Sequence, residues 1–459
     1  MFTKYKLTTS ICLFALLISC CGYFGKEDEQ CFCELQERTI DDCTCNVDTV
    51  DHFNNVKVYP RLRSLLTKNY FRFYKVNLKH MCPFWADDSK CAMKYCHVEA
   101  CHESDIPPGL KGVLRTKTCA SDASSTKYTS SESCDDDHNP ELGFLNTTIS
   151  AKAEEDFALW QAHDDAQDQF CDINENDNKA EYVDLLLNPE RYTGYKGKSA
   201  HRIWNSIYKE NCFRPENTYR AYIDSELLKG MCLEKRAFYR AISGLHTSIN
   251  IHLCAKYLKT QSAGGLSLTS PKGEWGPNID EFIRRFSISR TNGEGPNWLR
   301  NLYFLYLLEL RALDKASQYL QKEEFYTGDE AQDWDTQLAV QDLLSVINNF
   351  PDHFNESVMF NGGQETKKLK REFKEHFRNI TRIMDCVGCD KCKLWGKLQI
   401  QGLGTALKIL FDYDNYMPKP KQYKKEFKLE RNEIVSLINS IGRLSTSIYE
   451  LDEFRQMSR

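Results

Sequence analysis

Three cysteines at three-residue spacing, Cys386, Cys389 and Cys392, run straight into an apolar stripe of Leu394, Leu398, Leu403, Leu407 and Leu410. Apolar residues at such intervals predict a helix, and positions i, i+3 and i+6 fall along one side of it. Sulfur atoms at a helix start sit in the positive end of the backbone dipole, which lowers a thiol pKa and favours a reactive thiolate. The rest of the chain can be read as serving this redox-capable helix. Two other uses of the spacing fit less well. An iron–sulfur run of the bacterial type needs a fourth cysteine followed by proline, where this chain has Gly396 and Lys397. A tetrahedral zinc site needs a fourth ligand, and no second C-x-x-C knuckle occurs in the chain. On spacing alone, structural disulfides stay open beside redox chemistry.

The other cysteines describe a compartment. Lys4 and Lys6, then the apolar run from Ile11 to Ile18 before small residues around Ser19–Gly22, read as a secretory signal over residues 1–22. Its core is too short for a comfortable membrane span, and no later stretch approaches one. Three of the 20 cysteines fall in the signal, leaving 17, which on the secretory route implies an oxidising lumen and several disulfides. An odd count leaves at least one thiol free or paired between molecules. Sequons at Asn146, Asn355 and Asn379 fit the same route. The end of the chain, Gln456-Met-Ser-Arg459, has no retrieval tetrapeptide, so retention in the endoplasmic reticulum would need a partner. A net charge of −5 gives no nucleic-acid footprint.

Cys31, Cys33, Cys43 and Cys45 form a palindromic C-x-C…C-x-C pattern. Nested bridges Cys31–Cys45 and Cys33–Cys43 would staple a small finger, with a zinc finger as the other use. Cys82, Cys91, Cys96 and Cys101 fall in a polar segment that leads past Cys119 into Ser- and Asp-rich text around Cys134. Its low hydrophobicity predicts a mobile loop. Cys96 lies five residues from both Cys91 and Cys101, so it can pair with either, as a switchable disulfide requires. A fixed surface loop with structural bridges is the plainer reading. From about residue 151 the pattern is helical, with candidates at Glu234–Leu258, Leu299–Leu320 and Arg431–Leu451. Asn188-Pro-Glu-Arg191-Tyr-Thr193-Gly and Gly293-Glu-Gly295-Pro296 are punctuated turns. Ser243 and His246 share a helix face, although a lone histidine among apolar residues is more often part of a core. No G-x-G-x-x-G follows a strand, so a Rossmann fold is not supported.

Four longer runs carry a family resemblance: YVDLLLNPERYTGYKG (182–197), EKRAFYRAISGLHTSIN (234–250), NLYFLYLLELRAL (301–313) and RNITRIMDCVGCDKCKLWGKLQIQGLGTALKILF (378–411). In these the chain resembles the endoplasmic reticulum oxidoreductins, flavin-dependent oxidases of protein disulfide isomerase. The resemblance implies a mainly α, single-domain fold over residues 23–459. Residues 23–80 would form a disulfide-rich N-terminal part, 81–150 a flexible loop with shuttle cysteines, and 151–459 a helical core holding FAD. It implies Cys389–Cys392 as the inner active disulfide, with Cys392 nearer the flavin, and Cys91–Cys96 as the outer shuttle pair. Cys82–Cys386 would anchor the loop to the active helix, and Cys212–Cys232 would be structural. An inhibitory switch would re-pair Cys91 with Cys134 and Cys96 with Cys101, Cys119 competing for the part of Cys134.

Cofactor contacts carry over to Arg191, Thr193, Trp204, Ser243, His246 and Arg285. Trp204 suits a flat ring system, and the arginines suit a pyrophosphate. Where relatives have a second arginine after the Gly-Glu-Gly-Pro turn this chain has Trp298, leaving Arg300 as the candidate in its place. Gly396, Gly402 and Gly404 would let the flavin or another helix approach closely. The implied partners are protein disulfide isomerases and molecular oxygen, in the endoplasmic reticulum lumen, with peripheral association to the lumenal membrane face left open. The alternative class is a catalytically inactive, disulfide-rich lumenal binding protein.

Overall fold

The computed structural model describes residues 47–85, 96–111, 170–171, 177–191, 197–213, 228, 231–259, 274–348, 356, 359–360, 364–416 and 427–457. Cys31, Cys33, Cys43, Cys45, Cys91, Cys119, Cys134, Asn146, Thr193 and Asn355 lie outside the described residues.

The chain is mainly α and forms one helical domain. Helix α1 (Val47–Phe53) passes through a π turn into α2 (Tyr59–Leu65) and the short α3 (Asn69–Arg72). Strand β1 (Phe73–Val76) pairs antiparallel with β2 (Glu181–Asp184), Phe73 opposite Asp184 and Val76 opposite Glu181. Then come α4 (Gly197–Glu210) and α5 (Leu233–Ala255), followed by the antiparallel pair β3 (Tyr257–Lys259) and β4 (Glu274–Gly276). Helices α6 (Ile279–Phe286), α7 (Glu294–Lys315), α8 (Ser317–Leu320) and α9 (Glu330–Ile347) precede α10 (Gln364–Ile383), α11 (Asp390–Tyr416) and α12 (Arg431–Met457).

Helices α5 and α12 are buried almost all round, which marks them as the middle of the bundle. Helix α11 packs along α12, and α7 along α5. Glycine makes both contacts close. A Cβ on Gly402 would stand 2.5 Å from the Ser436 carbonyl oxygen of α12, and one on Gly244 would stand 2.3 Å from the Asn301 carbonyl oxygen of α7. Gly402 therefore admits another helix, one of the two uses expected of these glycines; of the other two, Gly396 faces the Met384 sulfur and Gly404 the Cys171 sulfur. All three sites are thus closed by protein rather than left open.

Local chemistry sets the helix ends. Helix α7 starts at Glu294, ahead of the expected Leu299, because Gly293 caps it at φ +90° and Pro296 suits a first turn. Helix α5 stops at Ala255, before the expected Leu258, as the chain turns into β3. Helix α12 outruns Leu451 to reach Met457. Its polar residues fasten the N-terminal elements: Asn432 donates to the Lys75 carbonyl of β1 at 2.8 Å and Asn439 to the Phe71 carbonyl of α3 at 3.1 Å.

One buried acid sets a pH limit on the fold. Glu309 of α7 is fully buried, accepts a hydrogen bond from Ser440 Oγ at 2.9 Å, and keeps its other oxygen without a hydrogen-bond partner. Burial pushes its carboxyl up to about 8. Between pH 4.5 and about 8 the unfolded chain has released this proton while the folded chain keeps it, so stability falls as pH rises across that window. Each pH unit there costs about 1.4 kcal/mol. Glu309→Gln keeps the shape without the proton. In thermal unfolding at pH 5 and pH 8, the variant is expected to gain on the wild type at the higher pH; parallel curves would contradict the buried acid.

Candidate active site

The three clustered cysteines take three different positions. Cys386 ends a 3-10 turn (Met384–Cys386), Cys389 directly precedes α11, and Cys392 lies in its first turn. The expected single helix face for all three is therefore wrong, because Val387 is extended and breaks the helix between them. Cys386 is bonded to Cys82, with an S–S distance of 2.02 Å. Lys393 Nζ donates to the Leu78 carbonyl at 3.0 Å, and Lys397 pairs with Asp385. These ties fix the turn that carries the remaining two cysteines.

Cys389 and Cys392 are 3% and 1% exposed, and their sulfurs, 2.7 Å apart, are hydrogen-bonded thiols rather than the implied disulfide. The Cys392 amide donates to Cys389 Sγ at 3.3 Å, so the Cys389 sulfur occupies the positive end of α11. Cys96, 7% exposed, joins the two in a small cluster covered by Val387 and separate from the main core. Its carbonyl accepts from the Lys391 amide at 2.9 Å. The Lys391 ammonium is held below its usual range, first by partial burial and then by the Arg191 charge.

Residues 96–111, part of the stretch expected to be a mobile loop, are pinned to the fold. Ala100 bridges Val183 of β2, and the Cys101 amide donates to the Tyr182 carbonyl at 2.9 Å. The Asn188 side chain grips both backbone groups of Glu99, accepting from its amide at 3.0 Å and donating to its carbonyl at 2.9 Å. The Asn188 carbonyl in turn accepts from Trp395 Nε1 at 3.1 Å. Cys101 is partly exposed, and burial followed by the Asp184 charge raises its thiol to about 11.

A second group of predicted residues gathers on one side of α5. Trp204 of α4 stacks on His246, with ring centres 3.7 Å apart and planes 14° from parallel. Tyr208 Oη lies 3.2 Å from His246 Nδ1. Burial, then the Arg285 charge, pushes His246 down to about 3, leaving a neutral imidazole at ordinary pH. Trp204 and Trp275 both pack on Ile249 and Leu253, and the Arg191 guanidinium lies over the Trp275 ring at 5.5 Å. Arg285 donates to Glu281 Oε1 at 2.9 Å and meets Asn250. Ser243 accepts from Asn301 Nδ2 at 2.9 Å. Arg300 is exposed and reaches Asn297 at 3.5 Å.

The implied Cys212–Cys232 bridge is not formed. Cys212 is buried in the main core, whereas Cys232, just before α5, is an exposed thiol. Asn379 sits half-buried within α10.

Residues 57–451 match the family model of Endoplasmic Reticulum Oxidoreductin 1 (ERO1). The chain belongs to the ERO1 family. It is 54% identical to the Ero1-like protein of Drosophila melanogaster, over 95% of this chain and 94% of that one. It is 47% identical to ERO1-like protein alpha of Mus musculus, over 94% of this chain and 92% of that one. A solved structure of Ero1p, described as a source of disulfide bonds for oxidative protein folding in the cell, superposes with a TM-score of 0.59 at 27% identity, over 90% of this chain and 98% of that one.

ERO1 membership makes the chain a thiol oxidoreductase associated with the endoplasmic reticulum. No helix among the described residues of this ERO1 chain is long and apolar enough to cross a membrane. Sequence reasoning missed Asn188, Lys391, Tyr208, Asn250 and Trp275. Only Asn188 carried a signal, as the first residue of the Pro/Gly-punctuated turn that ends in Arg191 and Thr193.

Proposed function

We propose that the chain is a thiol oxidase that oxidises protein disulfide isomerase through a relay of two cysteine pairs, Cys91–Cys96 and then Cys389–Cys392. The observation that supports it most is the separate cluster of Cys96, Cys389 and Cys392. A shuttle sulfur beside a buried cysteine pair is what a relay needs, because a protein substrate cannot enter a site so enclosed.

The exchange balances in four displacements. An isomerase thiolate attacks the Cys91–Cys96 disulfide, forming one sulfur–sulfur bond as another breaks. The second isomerase thiolate then resolves that mixed disulfide, leaving the isomerase oxidised and Cys91 and Cys96 as thiols. The Cys96 thiolate attacks Cys389, the Cys389–Cys392 bond breaks, and Cys392 leaves as the thiolate. Cys91 then attacks Cys96, restoring the outer disulfide and releasing Cys389. Two electrons and two protons have moved to the inner pair. The nearby Lys391 cation and the positive end of α11 favour the thiolates in these steps.

FAD is the cofactor this reading requires, and the residues present fit it. The aromatic face of Trp204 beside a neutral His246 suits a flat ring system, and the guanidinium groups of Arg191 and Arg285 suit a pyrophosphate. Arg191, Thr193, Trp204, Ser243, His246 and Arg285 would hold it, with Arg300 at the margin. FAD bound there would supply a two-electron acceptor for the inner dithiol, with molecular oxygen as the final oxidant and hydrogen peroxide as its product.

Cys91→Ala separates the two pairs. It is expected to cut oxidation of reduced isomerase by at least about a hundredfold, while a small dithiol that reaches the inner pair directly loses less than about threefold. Equal losses on both substrates would contradict the shuttle assignment.

A further inference from the structure

Asn188 stands where the shuttle segment, the active helix and the turn leading to Arg191 meet. It is 1% exposed, and every polar group of its side chain is engaged. Its amide mimics a peptide group. It continues the edge pairing of β2 by holding the amide and the carbonyl of Glu99, just past the point where Ala100 and Cys101 pair with Val183 and Tyr182. Its own backbone amide and its Nδ2 both return to the Asp184 carbonyl, at 2.9 and 3.1 Å, which closes the turn and aims the side chain outward at Glu99. Its carbonyl anchors the Trp395 indole.

The spacing gives this arrangement its consequence. Glu99 is three residues after Cys96, about 10 Å of extended chain. Trp395 is three residues after Cys392, about one turn of α11. Asn188 therefore joins the two cysteine-bearing segments at equal sequence offsets, and Cys96 is held at its near end by the Lys391 amide. A disulfide displacement needs the attacking sulfur in line with the bond it breaks, so small changes in this seating change the rate.

We propose that Asn188 is a positioning residue of the relay: its clasp on Glu99 and Trp395 seats Cys96 against Cys389 and Cys392. The proposal rests on the relay reading given above, and deepens it by naming what aligns the inner exchange.

The test needs no oxygen and no turnover. In a Cys91→Ser background the Cys96–Cys389 mixed disulfide cannot be resolved by Cys91, so its rate of formation under anaerobic conditions reports the seating directly. Asn188→Ala is expected to slow it about tenfold and to raise hydrogen exchange at the Glu99 amide by at least about tenfold. Because Asn188 also closes its own turn, Glu99→Pro provides a second variant. It deletes the gripped amide at an exposed position and is expected to give the same slowing with the melting temperature held. An unchanged mixed-disulfide rate in Glu99→Pro would overturn the proposal, whatever Asn188→Ala does to folding. Oxygen uptake by the wild type with reduced isomerase separates the two claims. Uptake with exchange indifferent to Glu99→Pro removes the clasp alone. Exchange that depends on Asn188 and Glu99→Pro, without uptake, keeps the clasp and removes the oxidase.

Discussion

Cys389→Ala is expected to abolish thiol oxidation while leaving the fold and any bound flavin in place. The sulfur of Cys389 receives the Cys96 thiolate in the proposed exchange, and Cys392 without it has no disulfide to open. Loss of a nucleophile or its target typically costs at least about a thousandfold in turnover. The structural cost is small by comparison. Cys389 sits at the end of α11 rather than inside it, and its sulfur accepts from the Cys392 amide at 3.3 Å and from the Cys392 thiol at 2.7 Å. Losing such a cap costs about 1 kcal/mol. The variant should therefore elute and melt nearly as the wild type, with its flavin absorbance retained and its activity on reduced isomerase gone. Flavin loss would mean that Cys389 serves to build the pocket.

Arg443→Met is expected to have the largest effect on stability. Arg443 of α12 is buried, pairs with Glu190, and donates to the Ser248 carbonyl at 3.2 Å and to Ser447 Oγ at 3.3 Å. Glu190 is also buried, and burial drives its carboxyl up against the opposing pull of Arg443. The neighbouring His252, 3.9 Å from Glu190, is kept neutral by its own burial and then by Arg443. Removing the guanidinium leaves a buried carboxylate without its countercharge, a change that typically costs about 3–5 kcal/mol. Glu190 immediately precedes Arg191 and lies two residues from Asn188, so the loss should also loosen the turn beside the cysteines. Denaturant unfolding measures the cost. The double variant Glu190→Gln/Arg443→Met, which removes the Glu190 charge along with its partner, should recover part of it; no recovery would mean that Arg443 acts mainly through its bonds to Ser248 and Ser447 and its charge beside the buried Glu450.

The large helices were legible because burial is written as periodicity. The apolar runs of α5, α7, α11 and α12 predict their existence, and the Gly-Glu-Gly-Pro text marks the start of α7 once glycine's left-handed conformation is considered. The start of α11 was misread because three-residue spacing cannot distinguish a helix from a turn followed by a helix. That difference depends on the extended Val387 and on the bridge from Cys386 to Cys82. Strands β1 and β2 escaped notice since each has only four residues and its partner lies far off in the chain. Asn188 and Trp275 could not have been assigned roles from type or spacing. One acts by meeting Glu99 and Trp395, and the other by lying under Arg191 and packing on Ile249 and Leu253, contacts that exist only after folding.

The proposed activity oxidises dithiols through the inner cysteine pair at the expense of oxygen. The most direct test is oxygen uptake by the purified protein on adding reduced protein disulfide isomerase, after an absorption spectrum has established the flavin content. The expected result is a yellow protein that consumes oxygen, forms hydrogen peroxide in step with the isomerase disulfides, and stops when Cys389 is replaced. A colourless protein that takes up no oxygen would contradict it.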